Sequence, residues 1–278
     1  MPAYLDTIVA AHRARAEDDH RDLDEALERA TQAGPVRPFT TALDTGAARD
    51  GMAVIAEIKR RSPSKGDLDP DLDPALVAAE YEAGGAACLS VLTDGEFFGG
   101  SSSDLIAART ACQLPVLRKD FTVSALDVCD ARIMGADAVL LIVAALTDDE
   151  LTSFLDLAGR CGLTALVEVH DELELKRALG AGAAVIGVNQ RDLKTFEVDH
   201  HRALDLGRSI PGGVVAVAES GIRAADDVAS LAGAGFRAVL VGETLVRSGD
   251  RRSAVAGLLG NPGNPGGPDG PRGPGNRR

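Results

Sequence analysis

The chain has 278 residues, 45% of them apolar and only 3% aromatic, with no tryptophan and a formal net charge of −13. That length suits one large α/β domain, and the apolar share is ample for a core of Ala, Val, Leu and Ile. The acidic balance excludes a non-specific nucleic-acid binder, which needs a basic face, so any anionic ligand must find a local cationic pocket.

Residues 1–50 read as a helical extension packed on the main domain: an amphipathic helix carrying Leu5, Ile8, Val9 and His12, then a second helical stretch near 23–30. The start of the chain lacks the apolar core of a secretory signal, and no apolar run reaches membrane-spanning length. A cytoplasmic protein with no membrane partner is therefore expected. From Ala53 onward, strand-like and helix-like segments alternate. Val/Ile/Leu-rich runs at 53–58, 86–91, 115–118, 137–142, 164–168, 184–188, 214–218 and 238–241 fit strands of a parallel sheet buried on both faces. The helices between them carry their own punctuation. Asp73-Pro74 supplies a cap and a first-turn proline, and Gly84-Gly85 ends that helix. Thr147 to Glu150 and Asp171 to Glu174 have capping-box spacing.

Eight βα units without a break predict a single (β/α)8 TIM barrel over residues 51–259. An open doubly wound sheet would carry a GxGxxG fingerprint after its first strand, and none is present. Residues 260–278, almost wholly Gly, Pro, Asn and Arg, have nothing to bury and predict a disordered C-terminal tail. The four cysteines (Cys88, Cys112, Cys129, Cys161) form no CxxC and read as buried small hydrophobes in a reducing compartment. No long exposed apolar stripe is evident, so a monomer is expected.

The chemistry lies where the strands end. The first ends in Glu57-Ile-Lys59, the third in Arg118-Lys119-Asp120, the fifth at Glu168, the sixth at Asn189-Gln-Arg191 and the seventh at Glu219-Ser220-Gly221. Carboxyl ends of barrel strands open onto one shared mouth, where half-buried charge is costly and is kept for binding or catalysis. Alternation along the first strand puts Glu57 and Lys59 on one face. The loop after it, with Ser62 and Gly66, is long for a βα connection and suggests a lid. Gly221, leaving the seventh strand, and Gly242-Glu243, leaving the eighth into a short helical turn, suit a backbone phosphate cradle. Of 29 basic residues five are lysine, and Lys59, Lys65 and Lys119 all fall at the mouth. Lysine there supplies a tunable proton donor that guanidinium cannot. His200-His201 reads as solvated or capping, whereas His170 lies just past Glu168. No metal-ligand spacing, catalytic triad or cofactor motif is present. The sequence thus predicts metal-free and cofactor-free acid–base catalysis on a phosphorylated small molecule.

The segments IAEIKRRSPSKG, SVLTDGEFFGGS, PVLRKDF, ALVEVHDELEL, IGVNQRDLKTFEVD, AESGI and VGETLV together resemble the indole-3-glycerol phosphate synthases of tryptophan biosynthesis. The likeness runs in order from about residue 4 to residue 259. It implies a barrel with its helical extension over the mouth, and the ring closure of 1-(2-carboxyphenylamino)-1-deoxyribulose 5-phosphate with loss of CO2 and water. By the same resemblance Lys119 is the acid, Lys59 holds the carboxylate or shares the proton, and Glu168 and Glu57 do acid–base work. Asn189, Arg191 and Glu219 orient groups, and Phe98 faces the anthranilate ring. Ser62, Ser220, Gly221, Gly242 and Glu243 take the phosphate end. Another phosphate-binding barrel, such as phosphoribosylanthranilate isomerase, would want a Cys base where this chain has Glu57 and Lys59.

Overall fold

The computed structural model describes residues 4–62, 65–191 and 198–260. Eight parallel strands close into a barrel: β1 (Ala53–Ile58), β2 (Cys88–Leu92), β3 (Val116–Lys119), β4 (Ala138–Ile142), β5 (Thr164–Val169), β6 (Val185–Asn189), β7 (Val215–Glu219) and β8 (Ala238–Val241). Each strand pairs with its chain neighbours, and β1 closes the ring on β8 through Ala53 opposite Ala238. Four of the eight strands begin and end one or two residues later than the apolar runs suggested, and β1 and β8 match them. Pro115 has no N–H to donate and only accepts from Leu89, so the ladder of β3 starts at Val116.

Period-2 alternation splits each strand between two cores. Ile55, Leu117, Leu140, Leu166, Val217 and Leu240 fill the barrel interior. Val54, Leu89, Val139, Val167, Ile186 and Val239 face the surrounding helices. Each such side chain is worth about 1.5–3 kcal/mol on burial. All four cysteines are buried and unbridged.

Three helices precede the barrel: α1 (Tyr4–Glu17), α2 (Leu23–Gln32) and α3 (Phe39–Asp50). The third departs from the sequence reading, which had only two. Its short apolar face, Phe39 and Leu43, joins the interior cluster, and the Cys88 thiol points at the Phe39 carbonyl near the start of β2. Thus α3 plugs the amino end of the barrel, while α1 lies over the carboxyl end. Gly46 lets α3 approach, because a Cβ there would press on Ala53 and Ala87 at 3.1 and 3.0 Å.

The outer helices are α4 (Pro74–Ala83), α5 (Ser102–Ala111), α6 (Ala125–Ile133), α7 (Asp148–Arg160), α8 (Glu172–Gly180), α9 (His200–Ser209), α10 (Ala225–Gly233), α11 (Glu243–Val246) and α12 (Arg251–Leu258). Thr147 and Glu150 form the expected capping box on α7. At α8, Asp171 caps the Glu174 N–H, but the Glu174 side chain turns back to His170 instead of closing the box. In the loop after β1, Arg61–Ser62 pairs antiparallel with Gly66–Asp67. No described helix is long and apolar enough to cross a membrane. The expected disordered tail, beyond Gly260, lies outside the described residues.

Candidate active site

The strand ends converge on a cavity of about 700 Å³ at the carboxyl mouth, roofed by Tyr4, Leu5 and Ile8 of α1. The residues to which the resemblance gave roles line it: Glu57, Lys59, Ser62, Phe98, Lys119, Glu168, Asn189, Arg191, Glu219, Ser220, Gly221, Gly242 and Glu243.

Lys119, the last residue of β3, reaches across the mouth to two carboxylates. Its Nζ donates to Glu168 Oε2 at 3.0 Å and to Glu219 Oε2 at 2.6 Å. The two acids have different surroundings. Glu168 Oε1 accepts from Asn189 Nδ2 at 3.1 Å and faces His170 Nε2 at 3.4 Å. Burial works against its charge, but Lys119, His170 and Asn189 outweigh burial and hold it well below the carboxylate range. Glu219 has Lys119 alone, and its Oε1 is buried without a hydrogen-bond partner. Burial, with the Glu168 charge adding to it, pushes Glu219 up to about 7 against the pull of Lys119. Burial by itself would lower Lys119, yet the three surrounding carboxylates raise it above its ordinary value, so it is an ammonium. Neighbouring groups whose pKa values are pushed apart are the mark of divided acid and base roles.

A second pair stands on β1. Lys59 Nζ donates to Glu57 Oε1 at 2.5 Å, and Ser90 Oγ donates to Glu57 Oε2 at 3.2 Å. Burial raises Glu57, but Lys59 and Lys119 dominate and keep it ionised. Gly242 has a use beyond turning the chain. A Cβ there would sit 2.5 Å from Glu57 Oε1 and 3.2 Å from Lys59 Nζ, so only glycine leaves room for the pair.

The turn after β7 is unusual in its backbone. Ser220 (φ 69°) is the one described non-glycine residue in the left-handed region, and Gly221 (φ 74°) sits there too. Ser220 Oγ donates to Asn189 Oδ1 at 2.9 Å, and the same oxygen accepts the Arg191 N–H at 3.0 Å. Lys65, Arg191, Arg223 and Arg247 bring cationic side chains to the cavity wall. Opposite, Phe98 lies 6.1 Å from Phe121, ring centre to ring centre. Asp94 Oδ1 accepts the Phe97 and Phe98 N–H groups at 2.6 and 3.1 Å, fixing that turn.

A family model described as indole-3-glycerol phosphate synthase matches residues 5–258. The chain belongs to that family. It is 50% identical to the indole-3-glycerol phosphate synthase of Mycobacteroides abscessus, over 92% of this chain and 93% of that protein. It is equally 50% identical to indole-3-glycerol phosphate synthase 1 of Streptomyces coelicolor, over 92% of this chain and 95% of that protein. Among solved structures, the thiamine phosphate pyrophosphorylase of Pyrococcus furiosus is similar in fold alone, with a TM-score of 0.58 at 17% identity, covering 77% of this chain and 96% of that one. As an indole-3-glycerol phosphate synthase family member the chain is a carboxy-lyase of tryptophan biosynthesis, acting on a phosphorylated small molecule.

Several groups at this family site were not visible as such in the sequence. Tyr4, Phe121, Arg223 and Arg247 line the cavity from separate elements. His12, Asp94 and Asp120, from α1 and the ends of β2 and β3, bring potential metal-ligand atoms within 4.8 Å of one another. Their oxygens are already engaged: Arg118 donates to Asp120 at 3.0 Å, and His12 Nε2 meets Asp94 Oδ2 at 3.1 Å. The donor set therefore reads as a hydrogen-bonded clamp between α1 and the barrel. His200 also needs correction. Although exposed and at the start of α9, it does not merely cap: its Nδ1 lies 2.7 Å from Gln190 Oε1.

Proposed function

We propose that in this chain Lys119 is the general acid of the ring closure, protonating the substrate carbonyl oxygen as the carboxylate-bearing aromatic carbon attacks. The observation that carries this reading is the Lys119 ammonium held between two buried carboxylates, Glu168 and Glu219. Loss of CO2 then restores the aromatic ring. The new hydroxyl leaves as water after taking a proton from the acid, and a carboxylate removes one of the two hydrogens on the adjacent carbon, the other staying in the product. Glu168, kept ionised, serves as that base, with Glu57 as the carboxylate on the opposite wall. Glu219, near 7, reprotonates Lys119 between steps.

Lys59 neutralises the substrate carboxylate beside Glu57, and Asn189 keeps Glu168 aligned. Phe98 packs on the anthranilate ring. Arg191 orients the substrate, and Ser62, Ser220, Gly221, Gly242 and Glu243 take the phosphate, the last three through backbone. The reading requires no metal or cofactor, and the protein works as a cytoplasmic monomer without nucleic-acid or membrane partners. In support of the monomer, the exposed large apolar side chains among the described residues are Leu23, Leu76, Ile106 and Leu173, spread over four helices.

The test is a fluorescence assay with carboxyphenylamino-deoxyribulose phosphate and EDTA. The chain has no tryptophan, so indole emission can come only from product. Emission from the native protein and silence from a folded Lys119→Ala variant support the reading. Near-normal kcat in that variant removes Lys119 from the acid role.

A further inference from the structure

We propose that Gln190, which does not line the cavity, is a positioning residue for the phosphate: it locks the Ser220–Gly221 turn in its ligand-binding conformation. The proposal rests on the reading of that turn as the phosphate end.

Gln190 is fully buried directly after β6. A buried carboxamide is costly unless its polar groups are paired, and these are paired to four different partners. Its N–H donates to the Glu219 carbonyl at 3.0 Å, and its carbonyl accepts from the Asp199 N–H at 2.9 Å. In the side chain, Nε2 donates to the Ser220 carbonyl at 3.0 Å and Oε1 lies 2.7 Å from His200 Nδ1. The amide orientation comes from chemistry, since a carbonyl can only accept. His200 must then carry its proton on Nδ1.

The bond to the Ser220 carbonyl is where this matters. A non-glycine residue in the left-handed region costs on the order of 1–2 kcal/mol, and such strain persists where the surroundings over-determine it. In a trans peptide the C=O and the next N–H point in opposite directions. With the Ser220 carbonyl drawn toward buried Gln190, the Gly221 N–H is sent the other way, and Gly221 lines the cavity. Side chains cannot substitute for this backbone donor. A Cβ at Gly221 would meet His200 Cε1 at 3.1 Å and collide with Val198. Gln190 and His200 therefore hold the turn from behind, while the phosphate is bound in front. Asn189, the preceding residue, holds Ser220 by its hydroxyl. Consecutive residues thus serve two ends of the substrate, Asn189 aligning Glu168 and Gln190 aligning the anion site.

The experiment compares full-length native protein with Gln190→Met, which keeps the volume and loses both side-chain hydrogen bonds. The probes are inorganic phosphate and anthranilate, each as a competitive inhibitor. We expect the phosphate Ki to rise at least about 10-fold and KM to rise with it, the size expected for an orphaned buried carbonyl. The anthranilate Ki should stay within about 2-fold. Gln190→Glu, which replaces the donor facing Ser220 with an acceptor, should give the same split. Equal changes in both constants, no change in either, or failure of both variants to fold would make Gln190 a general structural residue and overturn the proposal. A native enzyme insensitive to phosphate, yet inhibited by anthranilate, would instead overturn the reading of the turn on which the proposal stands.

Discussion

Gly187 on β6 makes room for Glu219 on the neighbouring strand β7. Any Cβ at Gly187 would run into the Glu219 carboxylate, whose Oε1 is packed there without a hydrogen-bond partner while Oε2 holds Lys119. The missing side chain is thus part of how the Lys119 ammonium is placed. Gly187→Ala should displace Glu219 from Lys119 and lower kcat by about 10- to 100-fold, because orientation of the acid is lost. Overpacking should cost about 1–3 kcal/mol of stability. Steady-state kinetics and a denaturant melt check both. A variant with native kcat would separate Glu219 from the chemistry.

Lys119→Ala should leave a folded barrel with turnover down by about 10²–10⁴-fold or more, the usual worth of a positioned proton donor. The fold survives because the two carboxylates left behind can neutralise by taking up a proton instead of remaining as unpaired buried charge. Circular dichroism and single-turnover rates separate loss of chemistry from loss of structure. Glu168→Gln should depress kcat far more than it raises KM; the reverse pattern would make Glu168 a binding residue.

The strands and the charged ring were legible in the sequence because both are local signals. AVIAEIK and PVLRKD show an apolar run and its polar end within a few residues, and the barrel then brings the ends together without further instruction. What escaped was set by distance along the chain or by absence of a side chain. His12 meets Asp94 across 82 positions, and no periodicity announces such a contact. Gly187 and Gly242 act through the atoms they lack, which depends on which carboxylates arrive opposite. Helix α3 was missed because its buried face amounts to Phe39, Leu43 and Gly46, too few for a helical stripe. Gln190 read as one polar letter in a strand-end triplet, with nothing to mark it as the buried one.

His170 should set the pH behaviour of the base. Burial alone would lower its pKa, but Glu168 and Glu174 raise it to about 10, so near neutrality it is an imidazolium beside Glu168. Replacing it by Asn removes a positive charge that favours Glu168 ionisation. The acid limb of the kcat profile should therefore move to higher pH. Stability carries the same signature. A histidine raised from 6.5 to about 10 contributes fully below 6.5 and loses that contribution as pH rises through about 10. The stability difference between native protein and His170→Asn should shrink across that window. A pH-independent difference would mean that His170 stays neutral in the fold.

His12 should govern how firmly α1 covers the mouth. Its ring is 5.3 Å from Phe121 and its Nε2 bonds Asp94, which also fixes the Phe97–Phe98 turn. One and two turns earlier on the same face of α1, Ile8 and Leu5 line the cavity. His12→Ala therefore removes the pin between the roof and the aromatic wall, and leaves a buried Asp94 oxygen without its partner, at a cost of about 1–3 kcal/mol. We expect faster amide exchange throughout α1 and a KM raised several-fold. The rate of the chemical step in single turnover should hold, since Lys119, Glu168 and Glu219 are held on strands by the barrel's own hydrogen-bonded ladder. His12→Gln, which can still donate to Asp94, should recover part of the KM. A loss confined to the chemical step, with α1 as protected as before, would show that His12 acts on the ring of charges and not on the roof.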